Sequence, residues 1–105
     1  MKHKVKMYVE GVACPFEQWV KSLDGGTRAR VYSNVRRLEC GNFGNVKALS
    51  NGVSELRMHF GAGYRVYFGM DGDTIIVLLG GGDKGTQQRD IEKAIGRWKR
   101  FNELR

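Results

Sequence analysis

The chain has 105 residues, 41% of them hydrophobic, and carries 18 lysines and arginines against 11 aspartates and glutamates, a formal net charge of +7. That length accommodates one cored domain rather than two. No apolar run approaches the roughly 20 residues that span a bilayer, and the charge balance suits a polyanionic or acidic partner such as nucleic acid, a ribosome or an acidic protein.

The opening MKHKVKMYVEG is basic but lacks an apolar segment and a small-residue cleavage site, so a signal peptide is not expected. Reduced thiols at Cys14 and Cys40 in a cytoplasm are the default that follows. Two separated cysteines and two separated histidines offer no metal-ligand spacing, and nothing implies a cofactor.

Lys2 to Val9 mixes β-branched and aromatic residues in rough alternation and reads as a first strand. Pro15 opens a helix whose Phe16, Trp19, Val20 and Leu23 recur at i, i+3, i+4 and i+7. Asp24-Gly25-Gly26 stops it, and Thr27 is the expected N-cap of a second helix. Val31, Val35 and Leu38 form the apolar stripe of that helix and Cys40-Gly41-Asn42 ends it. Arg28, Arg30, Arg36 and Arg37 fall largely outside the stripe, and such a face is more often solvated than a binding element.

The second half is rich in strands. Asn45 to Leu49 is a short strand containing Lys47, followed by the turn Ser50-Asn51-Gly52. Val53 to Tyr67, VSELRMHFGAGYRVY, reads as two strands joined by Gly61-Ala62-Gly63. Asp71-Gly72-Asp73 turns the chain again, and Thr74 to Leu79 is apolar at every position after the first, the pattern of a central strand buried on both faces. Gly80-Gly81-Gly82 is expected to take the backbone out of the sheet, and Asp83-Lys84-Gly85 to lead into a last helix with the stripe Ile91, Ala94, Ile95, Trp98 and Phe101. The expected architecture is α+β: β-α-α, an antiparallel meander of about four strands, then α, with the helices packed on one face of a single sheet in one domain, residues 1–105.

Alternation assigns faces within the long hairpin. Leu56, Met58 and Phe60 share one side, Glu55, Arg57 and His59 the other; across the turn, Val66 and Phe68 oppose Arg65 and Tyr67. A face gathering Arg57, Arg65, His59 and Tyr67 suits a phosphate: the arginines to hold it, His59 to move a proton, and Tyr67 or Tyr64 to stack on a base. The plainer reading is a solvated sheet face, with Arg57 paired to Glu55 or a neighbouring charge. On either reading Arg65 counts as a surface residue, whose truncation is expected to cost no more than about 0.5 kcal/mol. The run GGGDKGT lies between a strand and a helix as a phosphate loop does, yet it lacks the GxxxxGK[ST] spacing; Lys84 can still join the sheet-face cluster.

The segments GNFGNVK, GVSELRMHFGAGYRVYF and LLGGGDKGTQQRDIEKA, in that order, resemble the RelE/ParE superfamily of toxins from type II toxin-antitoxin systems. The likeness is nearest to the addiction-module killer subgroup, related to phage-derived and HigB-like proteins, and covers nearly the whole chain. The resemblance implies a single sheet with helices and an antitoxin partner, typically a small helix-turn-helix protein encoded alongside. It also implies one of two activities: cleavage of messenger RNA in the ribosomal A site, or poisoning of DNA gyrase. For the nuclease branch it points to Arg65, Arg57 and Lys84 as catalytic and Lys47 as RNA-binding, in a metal-independent attack by a ribose 2′-OH. The branch's aromatic residue near the C-terminus has no counterpart here, where Gln87, Gln88 and Asp90 stand, so His59 or Tyr67 would have to move the protons. The alternatives are a non-enzymatic gyrase inhibitor and an inactive module that only binds antitoxin.

Overall fold

The computed structural model describes residues 2–105. In chain order it comprises β1 (Lys4–Met7), α1 (Pro15–Lys21), α2 (Gly25–Glu39), β2 (Val46–Ala48), β3 (Val53–Met58), β4 (Tyr64–Asp71), β5 (Ile75–Gly82), a 3-10 turn (Lys84–Thr86) and α3 (Gln87–Glu103). The five strands form one sheet in the order β1-β5-β4-β3-β2. β2 to β5 are the expected antiparallel meander, and β1 lies parallel to β5, Lys4 opposite Ile75 and Met7 opposite Leu78.

The α+β class and element order are those read from the sequence, but the helices divide between the two faces of the sheet. α1 and α2 bury Phe16, Val20, Val31, Val35 and Leu38 against Leu56, Met58, Val66, Phe68, Ile76 and Leu78. α3 buries Ala94 and Trp98 on the opposite face against Val53, Tyr67, Val77 and Leu79. The reason is β5 itself: Ile76 and Leu78 point one way, Val77 and Leu79 the other, so a helix on one side alone would leave half the strand in water.

Two local expectations are also revised. Asp24, not Thr27, caps α2: its carboxylate accepts from the Thr27 backbone N–H at 3.1 Å and from the Thr27 hydroxyl at 2.6 Å, leaving Thr27 inside the first turn. The glycine triplet stays in the sheet, with Gly80, Gly81 and Gly82 opposite Tyr67, Val66 and Arg65. These positions lack side chains because neighbours fill the space: a Cβ on Gly80 would stand 2.8 Å from Arg97 Nη1, one on Gly81 would enter the Trp19 ring, and one on Gly82 would strike the Asp90 carboxylate. Asn51 and Gly52, with φ of 60° and 81°, make the tight turn between β2 and β3.

Trp98 anchors α3 by lying against the bare backbone of Gly69, where a Cβ would be 2.6 Å from the indole, and by stacking on Phe101 at 5.3 Å. Trp98→Ala should cost roughly 3–5 kcal/mol. Chemical denaturation checks this; a loss below about 1 kcal/mol would mean that α3 is not part of the core.

Candidate functional site

The sheet register sets two arginines against each other. Arg57 on β3 is the direct partner of Arg65 on β4, and Arg65 that of Gly82 on β5. One step along, Glu55 is partnered by Lys47 on one side and Tyr67 on the other. All these side chains share the α3 face of the sheet. Two like charges directly opposite destabilise a strand pair, and Glu55 offsets the repulsion. It is fully buried; its Oε1 accepts from Arg57 Nε at 2.7 Å, and its Oε2 accepts from Gln87 Nε2 at 2.9 Å and lies 3.5 Å from Arg65 Nε.

The two arginines are held differently. The Arg57 side chain is one-third exposed, whereas that of Arg65 is 12% exposed, its Nη1 donating to the Gly63 carbonyl at 2.7 Å. Arg65 Nε is buried and makes no hydrogen bond among the described residues, its approach to Glu55 being an ion pair only. Arg57, with only its Nε committed and one-third of its side chain exposed, is the more open of the two toward an incoming anion. α3 begins here with Gln87, so the positive end of a 17-residue helix adds to the same field. The exposed Lys84 lies one turn before α3, tied to the hairpin through its backbone N–H to the Ala62 carbonyl at 3.3 Å.

Burial alone would raise the Glu55 carboxyl, but hydrogen bonds from Arg57 and Gln87 and the charges of both arginines outweigh it and hold the group below the ordinary glutamate range. The Tyr67 phenol is pushed up, first by burial and then by the charge of Glu55. Its hydroxyl is buried and meets no hydrogen-bond partner in good geometry among the described residues, and the charge of Asp90 acts on it in the same direction as that of Glu55.

The structure thus brings together Lys47, Arg57, Arg65 and, at the rim, Lys84, and separates the others. Tyr67 is buried at 0% exposure and offers no ring face to a base; it floors the cluster. Tyr64 belongs to the other face, 5.3 Å from Phe60 and 6.5 Å from Trp19. His59 lies beyond the end of β3, exposed, and lines a hollow against α2 with Arg30 and Arg37 rather than joining Arg57 and Arg65. Sequence reading placed Glu55 on the polar face without seeing that it would be enclosed by both arginines. The i, i+2 spacing of Glu55 and Arg57 was a usable signal for half of that arrangement. Gln87 and Asp90 reach the cluster only because α3 folds back over the hairpin.

The sequence profile of the phage-derived Gp49-like proteins (DUF891) matches residues 18–99, and the chain belongs to that family, which is grouped with the addiction-module killer toxins. An uncharacterized protein of Haemophilus influenzae is 40% identical over 80 residues, covering 75% of this chain and 81% of that relative. The match takes in both arginines, Glu55 and the start of α3. Among the described residues no helix is long and apolar enough to cross a membrane.

Removing Glu55 tests whether it restrains the arginines. Glu55→Ala leaves two facing cations without a counter-ion and should cost about 3–5 kcal/mol in denaturant unfolding. Glu55→Gln keeps the shape and loses the charge. Because the folded-state carboxyl titrates below the ordinary value of 4.5, the ionic contribution is complete above that pH and fades as pH falls through the lowered value. The stability gap between parent and Glu55→Gln should therefore close on acidification, and a gap independent of pH would show that the charge contributes nothing.

Proposed function

We propose that this chain is the toxin of a type II toxin-antitoxin pair and cleaves messenger RNA on the ribosome, held in check by its cognate antitoxin. The observation that carries the reading is the arginine pair: Arg65, pinned by the Gly63 carbonyl and the Glu55 carboxylate, with the one-third exposed Arg57 directly across the strand. Paired guanidinium groups held ready in this way suit a phosphodiester whose charge grows during reaction. Membership of a family of addiction-module toxins supports the same reading.

In this reaction a ribose 2′-OH attacks the adjacent phosphorus and gives up its proton to solvent, the 5′-oxygen leaves and takes a proton from solvent, and a 2′,3′-cyclic phosphate remains. Arg65 and Arg57 stabilise the phosphorane oxygens, Lys84 adds charge at the rim, and Lys47 meets the backbone at the far edge of the same face. Each donor supplies on the order of 10²–10³ in rate. The ribosome contributes positioning worth several kcal/mol more. Glu55 orients the two arginines and stays ionised as their counter-charge. His59 lies outside this cluster and is not assigned the proton transfer expected of it from the sequence.

Expression without its partner should arrest growth, and co-expression of the neighbouring antitoxin should restore it. Primer-extension mapping on programmed ribosomes reads the chemistry directly. Arg65→Ala should abolish most A-site cuts, and Arg65→Lys should recover only part, because an ammonium cannot hold the Gly63 carbonyl and the Glu55 carboxylate with the planar fork of a guanidinium and still present a donor to the phosphate. Since Arg65 is a counter-ion of buried Glu55 rather than a surface residue, Arg65→Ala should also cost on the order of 1–3 kcal/mol in thermal unfolding, more than the sequence suggested. Full cleavage by a folded Arg65→Ala would refute the mechanism. A parent protein that cuts no message but triggers a DNA-damage response would point to gyrase instead.

A further inference from the structure

A second basic region lies on the other side of the β3–β4 hairpin. It is an open hollow of about 280 Å³ between α2 and the end of β3, lined chiefly by Arg30, Arg37, Asn34, Asn45, His59 and Phe60. No aspartate or glutamate is among its lining residues, and none of the four arginines of α2 is in an ion pair among the described residues. The Arg30 guanidinium lies 3.7 Å above the centre of the Phe60 ring, which holds it in place while the residue as a whole stays exposed. A narrower recess lined by Asn34, Arg37, Asn42 and Asn45 continues the hollow along α2.

We propose that this trough binds the phosphodiester backbone of RNA, outside the arginine-glutamate cluster. Three features favour that ligand over an acidic protein segment. The lining is mainly amide, guanidinium and imidazole, with Phe60 covered by Arg30, so it lacks the exposed apolar anchor on which protein partners usually seat. The mixture of fixed cations and amide donors without a competing carboxylate matches phosphate and sugar oxygens. Its position is the third. His59 follows Arg57 by two residues, just past the end of β3, so RNA leaving the cluster around the hairpin tip arrives at the trough. This last point rests on the nuclease reading; the first two do not.

Binding of a fluorescein-labelled single-stranded RNA, 2′-O-methylated throughout to prevent cleavage, is measured by anisotropy over a series of KCl concentrations. Arg30→Ala/Arg37→Ala should weaken binding at least tenfold at low salt. The slope of log affinity against log salt should fall by about 1.4, at roughly 0.7 for each phosphate of a single strand that is no longer neutralised. Ser33 also lines the trough, and Ser33→Glu, which places a carboxylate there and removes no cation, should weaken binding in the same direction. Lys93→Ala/Lys99→Ala, an equal loss of charge on exposed positions of α3, should leave the slope near the parental value. Parental affinity and slope in Arg30→Ala/Arg37→Ala, or an equal loss in the α3 variant, would overturn the proposal. So would displacement of the RNA by poly-glutamate at matched charge, which would assign the trough to an acidic protein. A parent that binds RNA through the trough yet leaves ribosome-bound messages uncut would defeat the nuclease reading alone, whereas a cutting protein with an unaltered slope in Arg30→Ala/Arg37→Ala would defeat the trough alone.

Discussion

The structure depends on one buried carboxylate placed where two strands would otherwise repel. Arg57 and Arg65 are direct cross-strand partners, and Glu55, at 0% exposure, reaches both. Enclosing ions costs several kcal/mol each, so such a cluster persists only when the carboxylate's acceptor sites are filled. Here Arg57 and Gln87 each donate to one carboxylate oxygen, and Arg65 adds its charge at 3.5 Å. The result is a pair of guanidinium groups whose orientation is set before any ligand arrives, so that little reorganisation is needed to meet a phosphate.

That arrangement obliges the rest of the fold to bring α3 down onto the sheet. Gln87 can reach Glu55 only if the helix begins directly above the hairpin, and the helix can lie that close only over strands without side chains. Gly82, Gly80 and Gly69 supply the clearance for Asp90, Arg97 and Trp98 in turn. Arg97 uses its clearance to donate to the Leu79 carbonyl at 3.0 Å, and farther along Arg100 meets Glu10 at 2.8 Å, tying α3 to the chain beyond β1. The glycine-rich strand is therefore a seat for the helix that completes the cluster, and its likeness to a phosphate loop is one of composition only.

Charge is also divided by the fold. One basic region is neutralised in part by Glu55 and held in fixed geometry; the other, between α2 and the end of β3, is open and has no carboxylate among its lining residues. They lie on opposite faces and meet at the tip of the β3–β4 hairpin. On the nuclease and trough proposals, the first region would serve chemistry and the second grip; His59 lies with the α2 region.

The sequence by itself determined the elements and most of the core, because periodicity is a local property. The stripe Val31, Val35 and Leu38 on α2, the burial of Trp98, and a central strand apolar on both sides all follow from spacing that a helix or strand converts directly into faces. It also placed Arg57 and Arg65 on a common side, since alternation needs no tertiary information. Only the tertiary structure decided which helix covers which face, that Gly80 to Gly82 remain in the sheet, and that Glu55 and Tyr67 are sealed rather than solvated. Those outcomes depend on α3 returning over a hairpin far earlier in the chain, as Gln87 does in reaching Glu55 across 32 positions. Separation of His59 from Arg57 has the same origin: strand alternation holds only while the strand lasts, and β3 ends at Met58.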